Sequence, residues 1–174
     1  MKNQTKKIIL AALFAALTCA ATMSIRIPTP GTGGYIHPGD AIVILSGIIL
    51  GPAYGFLAAG IGSCMSDLLG GYLNYVPITF LIKGLVALFA ALIYRKVAVS
   101  SKGRIAGVVL GGIIDIVFVA GGYFLFEYAI YGIGAAASVP ANIIQGVSGL
   151  IISLILYPIL SAVPDVRRLL HAQQ

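Results

Sequence analysis

Long apolar runs, the first of them "IILAALFAALTCAATMSI" behind Lys6 and Lys7, decide what this chain can become. Several windows reach the ~18 to 20 residues that carry an α-helix across a hydrocarbon core, and the runs are continuous, unlike the alternating ten-residue strands of a membrane barrel. Composition agrees: 59% of the 174 residues are hydrophobic and 9% charged, where a soluble domain carries roughly a quarter charged residues. The chain therefore reads as an all-α integral membrane protein, a single domain over residues 1–174. Its first run also has the lysines and small residues of a secretory signal. We read it as a retained helix, because the orientation argument needs it in place.

Turn and charge signals between the runs predict six transmembrane helices near 8–25, 40–50, 53–70, 77–94, 104–126 and 140–160. The Gly51-Pro52 pair is the critical boundary. One helix from Asp40 to Leu69 would be about 45 Å long at ~1.5 Å per residue, too long for a ~30 Å core, so a tight turn is expected there. With six spans and both termini cytoplasmic, every Lys and Arg except Arg26 and Lys83 falls in a cytoplasmic segment, as the positive-inside rule requires. The same clustering accounts for the formal charge of +6 without nucleic acid as a partner. Membrane lipid is the expected surrounding.

The second helix, Asp40 to Leu50, rises only ~16 Å. The outer half of that path is left for the loop "PTPGTGGYIHPG", expected to re-enter the membrane, and non-helical backbone is tolerated at such depth only where it lines a cavity or is buried in protein. A pocket on the outer side follows. Arg26, His37, Asp40, Asp67, Lys83 and Glu127 collect there, with Tyr35, Tyr72, Tyr75, Tyr123, Tyr128 and Tyr131, and intramembrane ionisable groups ordinarily face an interior or a cavity. The tyrosines suit a small ring-shaped solute, or an interfacial belt. Asp40 suits an N-cap as well as a site border, and His37 a loop position as well as a ligand contact. Asp67 and Lys83 lie at similar depth, placed either for a structural ion pair or for ligand. Asp115, in mid-span, calls for a proton or a polar partner from a neighbouring helix. Asn142 and Gln145, three residues apart, share a face of the last helix, where they serve a solute or bind a neighbouring helix.

Glycines spaced as in Gly103, Gly107 and Gly111 signal close helix packing. Ala12, Ala16 and Ala20 make a smooth stripe on the first helix, for a partner helix or for packing within the chain. Cys19 and Cys64 have no metal-ligand spacing, and no metal or cofactor is implied. There is no phosphate loop, HExxH or GxSxG, so no catalytic residue is assigned and the chain is not read as an enzyme. A stand-alone secondary transporter or channel, with Asp115, Asp67 and Lys83 as an ion relay, is the alternative to a binding subunit.

The stretch "GGYIHPGDAIVILSGIILGPAYGFLAAGIGSCMSDLLGGYLNYVPITFLIKG", followed by "EYAIYG" and "SVPANIIQ", resembles the substrate-binding S components of energy-coupling factor (ECF) vitamin transporters, in particular the pyridoxine or hydroxymethylpyrimidine subgroup. The resemblance covers nearly the whole chain. It implies a multi-pass protein of the bacterial cell membrane that binds a water-soluble vitamin or precursor from outside. Delivery would occur with a transmembrane T component and two ATP-binding-cassette ATPases, by toppling of the S component. It further implies that Ala12 and Ala16 touch the T component. The implied pocket draws on the loop around His37, on Asn74 and Tyr75, and on Glu127, Asn142 and Gln145. Typical relatives have Asn-Leu where this chain has His37-Pro38. In the resulting expectation a flat heterocycle sits among outer tyrosines, Glu127, Asn142 and Gln145 hold its polar edge, and the first loop closes above.

Overall fold

A computed structural model describes residues 2–173. Its elements run α1 (Lys2–Ser24), β1 (Ile27–Pro28), β2 (Tyr35–Ile36), α2 (Asp40–Leu50), α3 (Pro52–Gly70), α4 (Val76–Val97), α5 (Ser101–Tyr131), a 3₁₀ turn (Gly132–Ser138), α6 (Val139–Ala162) and α7 (Pro164–His171). Among the described residues, three stretches are long and apolar enough to cross a membrane: Gln4–Ser24, Val76–Val97 and the continuous Ser101–Ala162 that holds α5 and α6. The chain is a multi-pass membrane protein on that count.

The break between α2 and α3 is set by two residues. Gly51 sits at φ +85° and ψ 177°, a conformation that side chains resist, and Pro52 opens α3 with its φ already fixed. The short helix this leaves is the hub of the bundle. Every residue of α2 except Ile42 is buried, and α2 touches all six other helices. Val43, Ile44, Leu45, Ile48 and Ile49 form a core with Phe14, Val86, Ala87, Tyr94 and Val108. A helix apolar all round belongs in an interior, which is where it lies. Contact with α4 is backbone to backbone: a Cβ on Gly47 would stand 2.1 Å from the Ala87 carbonyl oxygen. Glycine is required at that crossing.

The structure departs from the expected helices in three places. The first outer loop is not purely irregular, because Ile27 pairs with Ile36 and Pro28 with Tyr35 in a small antiparallel ribbon closed by Thr29 N–H donating to the Gly34 carbonyl at 3.0 Å. Strands of two residues are too short for alternation to reveal. Second, α5 continues past 126 and takes Glu127 into its last full turn, buried, instead of leaving it at the helix end. Third, the tail forms α7, which Pro164 opens and which buries Val166 and Leu170. Beyond it the Gln173 Nε2 donates to the Ile49 carbonyl at 2.6 Å, filling one of the acceptors that a helix end leaves free.

A surface ion pair, Lys6 Nζ to Asp165 Oδ1 at 2.5 Å, ties α7 to α1. The hydrogen bond from Lys6 holds the Asp165 carboxyl below its ordinary 3.8. A depressed carboxyl stabilises the fold above its unfolded value and ceases to do so as pH falls through the folded one. Lys6→Gln is therefore expected to lower the melting temperature slightly at neutral pH, with the difference from the parent vanishing in acid below the ordinary carboxylate range. Melting curves of both proteins in detergent across pH give the measurement.

Candidate functional site

Five elements converge near the 3₁₀ end of the bundle. The first loop brings Thr29, Tyr35 and His37, α3 brings Asp67, the α4 region Tyr75 and Thr79, α5 Tyr123 and Glu127, and α6 Asn142 and Gln145. Together they line a cavity with about 330 Å³ of void, of which only about 20 Å³ admits the centre of a water molecule. That is room for about one water. The site is closed.

Its walls are braced by side-chain hydrogen bonds. Tyr35 Oη donates to Asp67 Oδ1 at 2.7 Å, Tyr75 Oη to Glu127 Oε1 at 2.9 Å, and Ser138 Oγ to Glu127 Oε2 at 2.5 Å. Thr79 Oγ1 and Tyr123 Oη share a hydrogen bond of 2.9 Å. One step deeper, Gln145 works as a strut: its Oε1 accepts from the His37 backbone N–H at 2.9 Å, while its Nε2 donates to Asp40 Oδ2 at 2.8 Å. Asp40 Oδ1 in turn accepts from Lys83 Nζ at 2.5 Å, both side chains having no exposed surface. The loop is thus latched to the bundle's one buried ion pair among the described residues.

Two expectations are corrected by this network. Asp40 is not an N-cap: Gly39 holds that position without a side-chain bond, and Asp40 turns inward to Lys83. Lys83 does not pair with Asp67, because Asp40 lies closer and Asp67 is engaged by Tyr35. Asn74 is exposed and does not line this cavity; it borders a neighbouring surface recess with Gly33, Tyr72 and Tyr131, and Tyr75 lines both. Of the two readings of the alanine stripe, packing within this chain is set aside, because Ala12 and Ala16 face outward from the bundle.

The structure gathers Tyr35, His37, Tyr75, Glu127, Asn142 and Gln145 on one cavity and sets Asp40 and Lys83 just behind it. Sequence reasoning overlooked Thr29, Thr79 and Ser138. For Thr79 a signal existed: Tyr75, Thr79 and Lys83 recur every four residues and so share one face of α4. Arg26 also gains a position. Its guanidinium lies 5.2 Å from the Tyr35 ring and 5.9 Å from that of Tyr72, whose rings are 4.4 Å apart, and its Nη2 donates to the Ser66 carbonyl at 3.3 Å. It roofs the loop.

Buried polar atoms are ordinarily satisfied, so the exceptions are informative. Asn142 Nδ2 has no acceptor, and Asp67 Oδ2 lacks a well-directed donor although Thr79 stands within electrostatic reach. Both residues line the cavity and are 4% exposed. Asp115, fully buried, also has no well-directed partner for either oxygen, and Asp40 and Lys83 are the charges that act on it.

Comparison with known proteins bears on the fold and the family. A solved structure described as the S component of a bacterial ECF transporter superposes with a TM-score of 0.64 at 23% identity, covering 91% of this chain and 96% of that one. The likeness establishes a shared fold. An uncharacterized protein of Pyrococcus woesei is 37% identical over 133 residues, 75% of this chain and 85% of the relative. The thiamine precursor transporter HmpT of Lactococcus lactis subsp. cremoris is 26% identical over 161 residues, 89% of this chain and 87% of the relative. The model of the family described as "ECF-type riboflavin transporter, S component" matches residues 2–162, and the chain belongs to that family of ECF-type S components.

Proposed function

We propose that the protein captures a small, flat, water-soluble vitamin precursor of the hydroxymethylpyrimidine or pyridoxine class on the outer side of the cell membrane. It delivers that molecule with a T component and two ATPases. In this reading the chain crosses the membrane six times with both termini inside, α2 and α3 together with the first loop occupying two of the crossings. The single observation that carries the ligand class is the pair of unsatisfied atoms in a tyrosine-lined cavity: one amide donor on Asn142 and one carboxylate oxygen on Asp67. A heterocycle with a ring acceptor and a donor group on its edge would satisfy both, its faces against Tyr35, Tyr75 and Tyr123. Similarity to a thiamine precursor transporter supports the same class.

A one-ring ligand needs more space than one water, so the first loop lifts to admit it. What holds the loop down is the His37–Gln145 hydrogen bond, the Tyr35–Asp67 hydrogen bond and the Arg26 roof. Glu127, bonded to Tyr75 and Ser138, keeps the far wall in place. Gln145, Asp40 and Lys83 act by positioning the loop, since their polar atoms are already committed to one another.

Titration of the purified protein with hydroxymethylpyrimidine and with pyridoxine tests the proposal. Asn142→Ala and Asp67→Asn are each expected to weaken binding about tenfold, the effect of one lost buried hydrogen bond to a ligand, with melting temperatures close to the parent's. Asn74→Ala, outside the cavity, is expected to change nothing. Unaltered affinity in both cavity variants rejects the assignment, and uptake by this chain alone in liposomes, driven by an ion gradient, would favour the stand-alone transporter.

A further inference from the structure

A second cavity of about 520 Å³ opens at the other end of α5 and α6. The first turn of α5 contributes Ser101 and Arg104, the last turns of α6 contribute Tyr157 and Ser161, and α7 contributes Arg167 and His171. No acidic residue lines it. Arg104 Nη2 donates to Ser101 Oγ at 3.1 Å, and Arg167 Nε reaches the Ser161 carbonyl only at 3.5 Å, so both guanidinium groups rest on neutral oxygens. Four of the five acidic residues, Asp40, Asp67, Asp115 and Glu127, are buried inside the bundle, and the fifth, Asp165, is engaged by Lys6. Among the described residues, the positive charge around this cavity has no internal counter-ion.

The floor is of the opposite character. Ile105, Pro158, Ala162 and Leu170 supply apolar surface, and the adjoining flank of α5 and α6 continues with Ile105, Ile155 and Ile159, all large and outward-facing. A free phosphate would use the arginines and leave this floor wet. An acidic protein segment would use the arginines but not the apolar flank, which a bilayer covers. Only an amphiphile matches both parts. We propose that this groove is a binding site for an anionic phospholipid, its phosphate held by Arg104 and Arg167 and its acyl chain laid along the α5–α6 flank. Basic pockets between helix ends at a membrane surface have the electrostatics for such headgroups. α7, apolar toward the bundle at Val166 and Leu170 and basic on its other face at Arg167, Arg168 and His171, closes the site at the interface.

The experiment is lipid retention by the full chain. Purified protein is exchanged into micelles carrying equal phosphatidylglycerol and phosphatidylcholine, and retained lipid is counted by native mass spectrometry. The parent is expected to retain phosphatidylglycerol selectively. Arg104→Gln with Arg167→Gln should reduce that retention about tenfold or more, since each guanidinium loses its charge-assisted hydrogen bonds to the phosphate. The charge-matched pair Lys96→Gln with Lys102→Gln, at the same end but outside the groove, should reduce it less than about twofold. Melting temperature verifies folding, and Arg104→Lys with Arg167→Lys should recover selectivity if folding is intact. Equal losses in the two glutamine pairs overturn the proposal in favour of diffuse attraction. Displacement of the lipid by millimolar inorganic phosphate overturns it in favour of a free-anion site. Unchanged lipid retention with lost co-purification of a T component or ATPase overturns it in favour of a protein-docking surface.

Discussion

Lys83→Met is expected to destabilise the protein by about 3–5 kcal/mol, enough to lower its melting temperature by many degrees in detergent. The reason lies in what it strands. Asp40 would keep a single amide from Gln145 as partner, in a position with no exposed surface, and Asp115 nearby would become a second carboxyl with no cation in reach. Lys83 also lies 5.6 Å from the Tyr123 ring, so its charge has an aromatic face as well as a carboxylate to lose. Removing both ions together reverses most of this. Asp40→Asn with Lys83→Met leaves a neutral amide beside Gln145, and the double variant is expected to regain much of the lost stability because a neutral pair has no charge to desolvate. The cycle decides between two roles for Lys83. Were it a ligand contact, the single variant would lose affinity at unchanged melting temperature.

The same pair shows where sequence reasoning reached its limit. The stretch from Asp40 to Leu50 announced a short helix through its Gly-Pro boundary, and the structure has that helix over the same residues. Such a boundary is legible because it is local chemistry: a positive φ at Gly51 and a preset φ at Pro52. The partner of Lys83 is a different kind of fact. Spacing put Asp67 at the depth of Lys83 and Asp40 at the head of α2, and only the packing of α2 against α4, permitted by Gly47, brings the lysine to Asp40. Gln145 repeats the lesson, since spacing put it on the face of Asn142 but could not reveal that its amide is spent on His37 and Asp40 while that of Asn142 is free. The ribbon of Ile27–Pro28 with Tyr35–Ile36 left no periodic trace at two residues per strand. α7 had a trace that went unused, Pro164 followed by an apolar pair four residues apart at Val166 and Leu170.

The latch and the cavity also belong to one mechanical unit. His37 reports the position of the first loop to Gln145, and Gln145 bridges to the ion pair at the head of α2, the helix that touches every other. In the proposed reading, lifting the loop would loosen the hub at Asp40 without disturbing the apolar core around Ile44 and Ile48. The proposed capture of a ligand under the loop would suit this division, with polar contacts where the chain would move and dense apolar packing where it would not.

Ala12→Leu with Ala16→Leu is expected to abolish ATP-driven uptake while leaving ligand affinity and melting temperature close to the parent's. Both alanines face away from the bundle, on a helix whose outward surface otherwise carries Ile9, Leu13 and Leu17. In lipid the hydrophobic effect does not drive helices together, so association depends on close approach, and small residues four apart allow it. A leucine at each position adds bulk where a partner helix would lie but displaces nothing within this chain, because the inward face of α1 is formed by Phe14 and Thr18. The separation of outcomes is what makes the variant informative: co-purification with the T component and uptake in proteoliposomes should fail together, while vitamin binding to the isolated subunit persists. Ala106→Leu, at another exposed alanine, on α5, provides the control for added bulk in lipid and is expected to preserve both assembly and uptake. Assembly that survives the double leucine variant would mean that the stripe faces lipid alone and that another surface meets the T component.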